Sequence, residues 1–223
     1  MKSSSFILIL GFFFLFSFSA WGFSTENTTR FDSSVPVTYT VVSPVDVIPV
    51  SIAVKKPLKE IQATYTVAES SRQRQRENYD SLRARLLNAP ASEKELLLAQ
   101  LSQQRQRVLL STLNSLTVLY QRTDYVLAQF DETLLRLRSK YLSLKDKSSV
   151  PDFSSRMRAL ESTQSSLQNK SVQLSVRLAS APTSVSLGGE VVSLKNDLSS
   201  FIQETKSFVN DYRSLAREVI EAN

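Results

Sequence analysis

Neither cysteine nor histidine occurs anywhere in these 223 residues. Their absence removes disulfides, thiolate nucleophiles, histidine general bases and the usual zinc ligand sets. Glycine is almost as scarce: beyond the apolar N-terminus only Gly188 and Gly189 remain. No glycine-rich loop is therefore available to cradle a phosphate. No lysine has a serine three residues before it, so Ser-x-x-Lys chemistry is missing as well. Carboxylates are the remaining acid–base candidates. Asp131 and Glu132 are adjacent, which turns them to different azimuths of one helix, and Glu132 stands four residues before Arg136 in the orientation of a surface ion pair. The chain is expected to be non-enzymatic, with no cofactor, no metal and no small-molecule substrate.

The first 23 residues are a different material from the rest. Lys2 is the only charge before an apolar run from Phe6 to Phe18, and Ala20-Trp21-Gly22 places small residues at the −3 and −1 positions of a cut after Gly22. That arrangement predicts a signal peptide over residues 1–22, with an uncleaved membrane anchor as the rival reading. Either one exports the remainder to a periplasm, a cell surface or the medium. An arm over 23–68 follows. Its Val-Pro-Val-Thr-Tyr-Thr-Val-Val and Val-Asp-Val-Ile-Pro-Val-Ser-Ile-Ala-Val stretches read as extended or β-prone backbone, while Pro36, Pro44, Pro49 and Pro57 each remove a ladder donor. Ile61 to Val67 is expected to add a further strand. Asn27-Thr28-Thr29 and Asn169-Lys170-Ser171 match the glycosylation pattern, the second in mid-helix.

From about Glu69 onward the pattern is helical. Leu109, Leu113, Leu116, Tyr120, Thr123, Leu127, Phe130, Leu134, Leu137, Tyr141 and Leu144 recur in strict steps of four and three. Such a repeat keeps one seam against a partner along a left-handed supercoil. Phe153 to Leu178 and Val191 to Ala222 carry two further seams. The expected fold class is all-α: an elongated antiparallel helical bundle or coiled coil of four helices, the second very long, behind the Pro/Val-rich arm. The helices are expected at Ser70–Asn88, from the Ser92-Glu93-Lys94-Glu95 capping box to about Lys147, from near Pro151 to Ala181, and from about Glu190 to Ala222. The domain division is a basic helical hairpin over 69–108 and a three-helix bundle over 109–223.

Folding the seams back about each turn predicts layers. Phe130 falls beside Leu167 and Phe201, and Tyr141 beside Met157 and Tyr212. Leu134, Gln164 and Thr205 form a polar layer that would fix register. In the hairpin, Leu82 faces Leu101 and Tyr79 faces Gln104. Arg72, Gln75 and Gln104 along this contact leave little apolar area, so the arm or a second copy of the chain is expected to cover Leu96 to Leu101.

The formal net charge is +6. Two Arg/Gln runs concentrate part of it: Arg72, Arg74 and Arg76 in the first helix, and Arg105 and Arg107 in the second. At similar height in the hairpin they make a candidate polyanion-binding patch for an acidic polymer or an anionic membrane surface. No aromatic residue interleaves with them, unlike a single-strand nucleic-acid site. In composition the chain resembles the exported basic coiled-coil chaperones of the bacterial envelope, which place β-prone segments ahead of helical arms. It departs from them in ending on a helix. Two functions follow as expectations. One is an exported scaffold or adaptor acting through protein partners and homo-oligomer formation. The other is an envelope chaperone-like or polyanion-binding protein using the basic hairpin.

Overall fold

The computed structural model describes residues 58–144 and 152–222. The signal segment, the arm as far as Pro57, Asn27, Lys147 and Pro151 lie outside the described residues. Among the described residues four α-helices follow one another: α1 (Leu58–Asn88), α2 (Ala91–Leu144), α3 (Ser154–Ser180) and α4 (Leu187–Glu221), with a 3₁₀ turn at Ala181–Thr183 before the last. No strand occurs among the described residues. No described helix is long and apolar enough to cross a membrane.

The α1 helix begins twelve residues before the expected Ser70, and Ile61 to Val67, expected as a strand, is helical. Tertiary packing overrides β-propensity here. Ile61 and Ala68 are buried against Val118 of α2, with Tyr65 and Tyr125 packed around them. The β-branched threonines adapt by bonding back along the helix: Thr64 donates to the Glu60 carbonyl at 2.8 Å and Thr66 to that of Gln62 at 3.1 Å. At the far end a two-residue turn, Ala89-Pro90, separates α1 from α2. Ser92 consequently sits inside the first turn of α2 rather than at its cap, and the Glu93 amide donates to the Pro90 carbonyl at 3.0 Å.

The α2 helix runs 54 residues, about 81 Å at 1.5 Å per residue. Its main seam is buried throughout except at Leu109, which is half-buried. A second seam lies on nearly the opposite face: Leu97, Leu101, Gln104, Val108, Ser111, Ser115 and Val118, buried, then half-buried Arg122 and Tyr125. It too steps by four and three. The two seams therefore coexist from Leu109 to Tyr125, nearly five turns of helix, and the apolar stripe does not switch faces at Leu109-Leu110 as a simple boundary would require. Among the described helices, α1 packs on α2 alone, while α3 and α4 pack on α2 and on each other. Beyond Tyr125 the α1 face turns polar, with Gln129, Glu132, Arg136 and Ser139 all exposed.

The bundle register differs from the turn-based expectation. Phe130 meets Phe208, seven residues beyond Phe201, with ring centroids 5.4 Å apart, and Tyr212 at 4.9 Å. Phe201 instead stacks near Tyr120 at 6.5 Å. Tyr141 packs edge to face on Phe153, the adjacent position of the α3 seam, at 5.8 Å. The physical reason is degeneracy. A heptad slid by seven residues presents the same face again, so periodicity alone admits several registers.

Candidate functional site

The hairpin waist is pinned by one polar contact. Gln104 Nε2 donates to the Gln75 carbonyl at 2.9 Å and to Gln75 Oε1 at 2.7 Å. Gln104 thus lies opposite Gln75, not Tyr79. The tight turn explains the shift: Gln75 stands 13 residues before Asn88 and Gln104 stands 13 after Ala91, the residues that flank Ala89-Pro90. In this register Leu97 and Leu101 are buried within the single chain, at 4% and 5% exposure, so no second copy is needed to cover these two. Leu96 and Leu98, with Leu87, remain exposed near the tip.

The five arginines divide around this contact. Arg72 lies in the seam itself and is taken by Glu69: its Nε donates to both carboxylate oxygens, at 3.1 and 3.0 Å. That bond, ahead of the opposing effect of burial, raises the guanidinium's pKa further. Arg76 follows Gln75 by one residue and Arg105 follows Gln104 by one. In an antiparallel pair, positions one past the same seam letter share a flank. Arg107 precedes Val108 by one residue and falls on the other flank, with exposed Arg74 further round on the same side. Arg122, deeper in the interface, has its pKa lowered by burial while the neighbouring Tyr65 pulls it upward.

Leu134, Gln164 and Thr205 are all buried, but their polar atoms have other partners. Gln164 Nε2 donates to Asp131 Oδ1 at 2.6 Å, and Gln168 joins the same oxygen at 2.9 Å. Thr205 donates to the Phe201 carbonyl of its own helix at 2.8 Å. The α2–α3 seam holds a second polar knot: Ser171 donates to Asp124, so its single proton is committed and Tyr120 must donate to Ser171 Oγ, 3.0 Å away. Burial, its largest cause, raises the Tyr120 phenol pKa. Among the described residues no buried side-chain polar atom lacks a partner.

A feature missed in the sequence lines the α3–α4 edge. Glu190, Asp197, Glu204, Asp211 and Glu218 recur every seven residues along α4, and Arg156, Lys170 and Arg177 lie on the facing edge of α3. Arg156 pairs with Glu218, Lys170 with Glu204 at 2.6 Å, and Arg177 with both Asp197 and Glu190, the latter at 2.9 Å. Serines one turn earlier support the acids: Ser200 donates to Glu204 at 2.8 Å and Ser214 to Glu218 at 3.0 Å. The seven-residue spacing puts Thr163, which donates to its own Ala159 carbonyl, across from Asp211. Thr163→Lys is expected to fill that rung and raise stability by about 0.2–1 kcal/mol, the range for exposed pairs, with the gain vanishing in 1 M salt during thermal melting.

The ladder also makes stability acid-sensitive. Hydrogen bonding from Lys170 first, then Ser200, holds the Glu204 carboxyl below the ordinary value of 4.5, and Arg156 first, then Ser214, does the same for Glu218. A carboxyl with a lowered folded-state pKa stabilises fully above its unfolded value, and that contribution disappears as pH falls through the folded value. Melting temperature should therefore decline below pH 4.5, and less steeply in Lys170→Met. An equal decline in that variant would remove Glu204 from the account.

Among the described residues no group of three or more histidine, cysteine, aspartate or glutamate side chains could hold a metal. An open depression at the hairpin turn is lined by Ser81, Arg85, Asn88, Pro90, Glu93 and Leu97. It brings together one arginine and one glutamate without burying either, and so lacks the desolvated acid–base pair that catalysis uses. No protein-family model, curated protein or solved structure matches this chain.

Proposed function

We propose that this chain is an exported, non-enzymatic coiled-coil scaffold or adaptor that works through protein–protein contact and self-association. The observation that carries this reading is the double-seamed α2 helix. Its two faces are occupied by the chain's own helices, which makes a long pre-formed strut, while the hairpin tip presents Leu87 and Leu96 at 79% and 62% exposure. Apolar side chains left exposed at the end of such a strut are what a partner or a second copy would cover. Export rests on the apolar N-terminus with its small-residue cut site.

A scaffold forms complexes of fixed stoichiometry. Sedimentation of the purified chain at micromolar concentration should show an oligomer, and Leu87→Glu with Leu96→Glu should shift it to monomer. Crosslinking in the native envelope should recover defined partners. Suppression of aggregation across unrelated unfolded proteins, by a chain that sediments as a monomer, would instead mark a holdase and end the scaffold reading.

A further inference from the structure

Arg74, Arg76, Arg105 and Arg107 surround the Gln75–Gln104 contact that joins the two helices. Along the rod they occupy a narrow band, since residues two apart rise only about 3 Å in a helix. We propose that this waist binds a linear sulfated polysaccharide, held on both flanks of the hairpin. The proposal stands independently of self-association.

Local charge is the first support. From Leu96 to Thr123 α2 contains no acidic residue, and none lies between Ser70 and Arg76 of α1. The acids that border the band are engaged. Glu69 holds Arg72, and Glu77 accepts from Gln73 Nε2 at 3.0 Å. Arg74, Arg76 and Arg107 enter no ion pair among the described residues. Contrast the bundle, where the cations of the α3 edge each have a carboxylate. The waist therefore keeps a net positive field: Glu69 offsets Arg72, and Glu77, whose partner Gln73 is neutral, offsets only one of the other arginines.

Shape and chemistry then select the ligand. Guanidinium groups form a planar fork that matches two oxygens of a sulfate. Arg76 and Arg105 sit on one flank and Arg74 and Arg107 on the other, so a flat anionic membrane reaches only half of them. A flexible chain can pass across the hairpin and touch both. Single-stranded nucleic acid gains much of its affinity from stacking on aromatic rings, and neither run contains one.

Binding of the full chain to heparin, measured against salt, tests this. The waist variant is R74Q/R76Q/R105Q/R107Q, and R136Q/R158Q/R213Q/R217Q removes the same charge from the bundle. Affinity for heparin should fall at least about tenfold in the waist variant and less than about threefold in the bundle variant. The slope of log affinity against log salt should flatten by about 2–3 in the waist variant, at about 0.7 per lost contact as for single strands. Equal losses in the two variants would overturn the proposal, as would tighter binding to phosphatidylserine vesicles or to oligothymidylate than to heparin. Should the waist variant fail to fold, heparin protection of the unmutated chain against phenylglyoxal decides. Protection of the four waist arginines with Arg158 and Arg213 still reactive supports the site, and uniform protection or none refutes it.

Discussion

Phe208→Ala is expected to lower the unfolding free energy by about 3–5 kcal/mol, the cost of emptying a closed aromatic site. Phe208 is fully buried, and Phe130, which meets it edge to face at 74°, is nearly so. Phe130 in turn faces Tyr212 at 80°, so the three rings form one edge-on group. Such pairs add about 0.5–1.5 kcal/mol beyond burial, and a double-mutant cycle isolates that surplus. Denaturant unfolding of Phe130→Leu, Phe208→Leu and the double variant should show coupling of this size. Phe130 with Phe201 should show much less. The reverse result would restore the register in which Phe130 sits beside Phe201.

Val118→Asp is expected to be comparably severe but local. Val118 is fully buried between Ile61 and Ala68 on the face of α2 away from the bundle. A carboxylate there would be desolvated in an apolar cluster at a cost of several kcal/mol. The molecule has a cheaper response than global unfolding, because among the described helices α1 packs on α2 alone. Detachment of the first part of α1 lets water reach the new charge. Amide exchange in Ile61 to Arg72 should accelerate by orders of magnitude, while Leu160 to Leu174 and Leu194 to Phe208 keep their protection. Equal acceleration in α3 and α4 would show that the two faces of α2 are a single cooperative unit.

The seams were legible because burial of a helix face leaves a periodic mark. Every seam position of α3 is buried, polar Gln164 and Ser171 included. The start of α1 was not legible in the same way. Thr64, Thr66 and Val67 favour extended backbone, and the competing heptad Ile61, Tyr65, Ala68, Arg72, Gln75 gains its meaning only from the buried Val118 it meets. Register was illegible from periodicity for the reason given by degeneracy, yet a second signal lay in plain sight. Acids repeating every seven residues from Glu190 to Glu218, against cations at Arg156, Lys170 and Arg177, narrow the α3–α4 pairing to two alternatives one heptad apart, since a slide of seven sets the same cations against Asp211, Asp197 and Glu190. Of the candidate site, the arginine runs were visible as composition. Their division between two flanks was not, because it depends on the phase of the α1-facing seam. The loss of Arg72 to Glu69 was readable, since three-residue spacing puts the two on neighbouring turns.

Between Ala91 and Leu144 α2 contains neither glycine nor proline, the residues at which long helices bend. It is clasped on two sides only around its middle, from about Leu110 to Tyr125, and on one side toward each end. Mechanically it resembles a beam splinted at its midpoint: stiffness is greatest there and declines outward in both directions. Thermal flexing is then concentrated in the two outer lengths, so that the arginine band and the aromatic group move about a common fulcrum rather than as parts of one rigid bar.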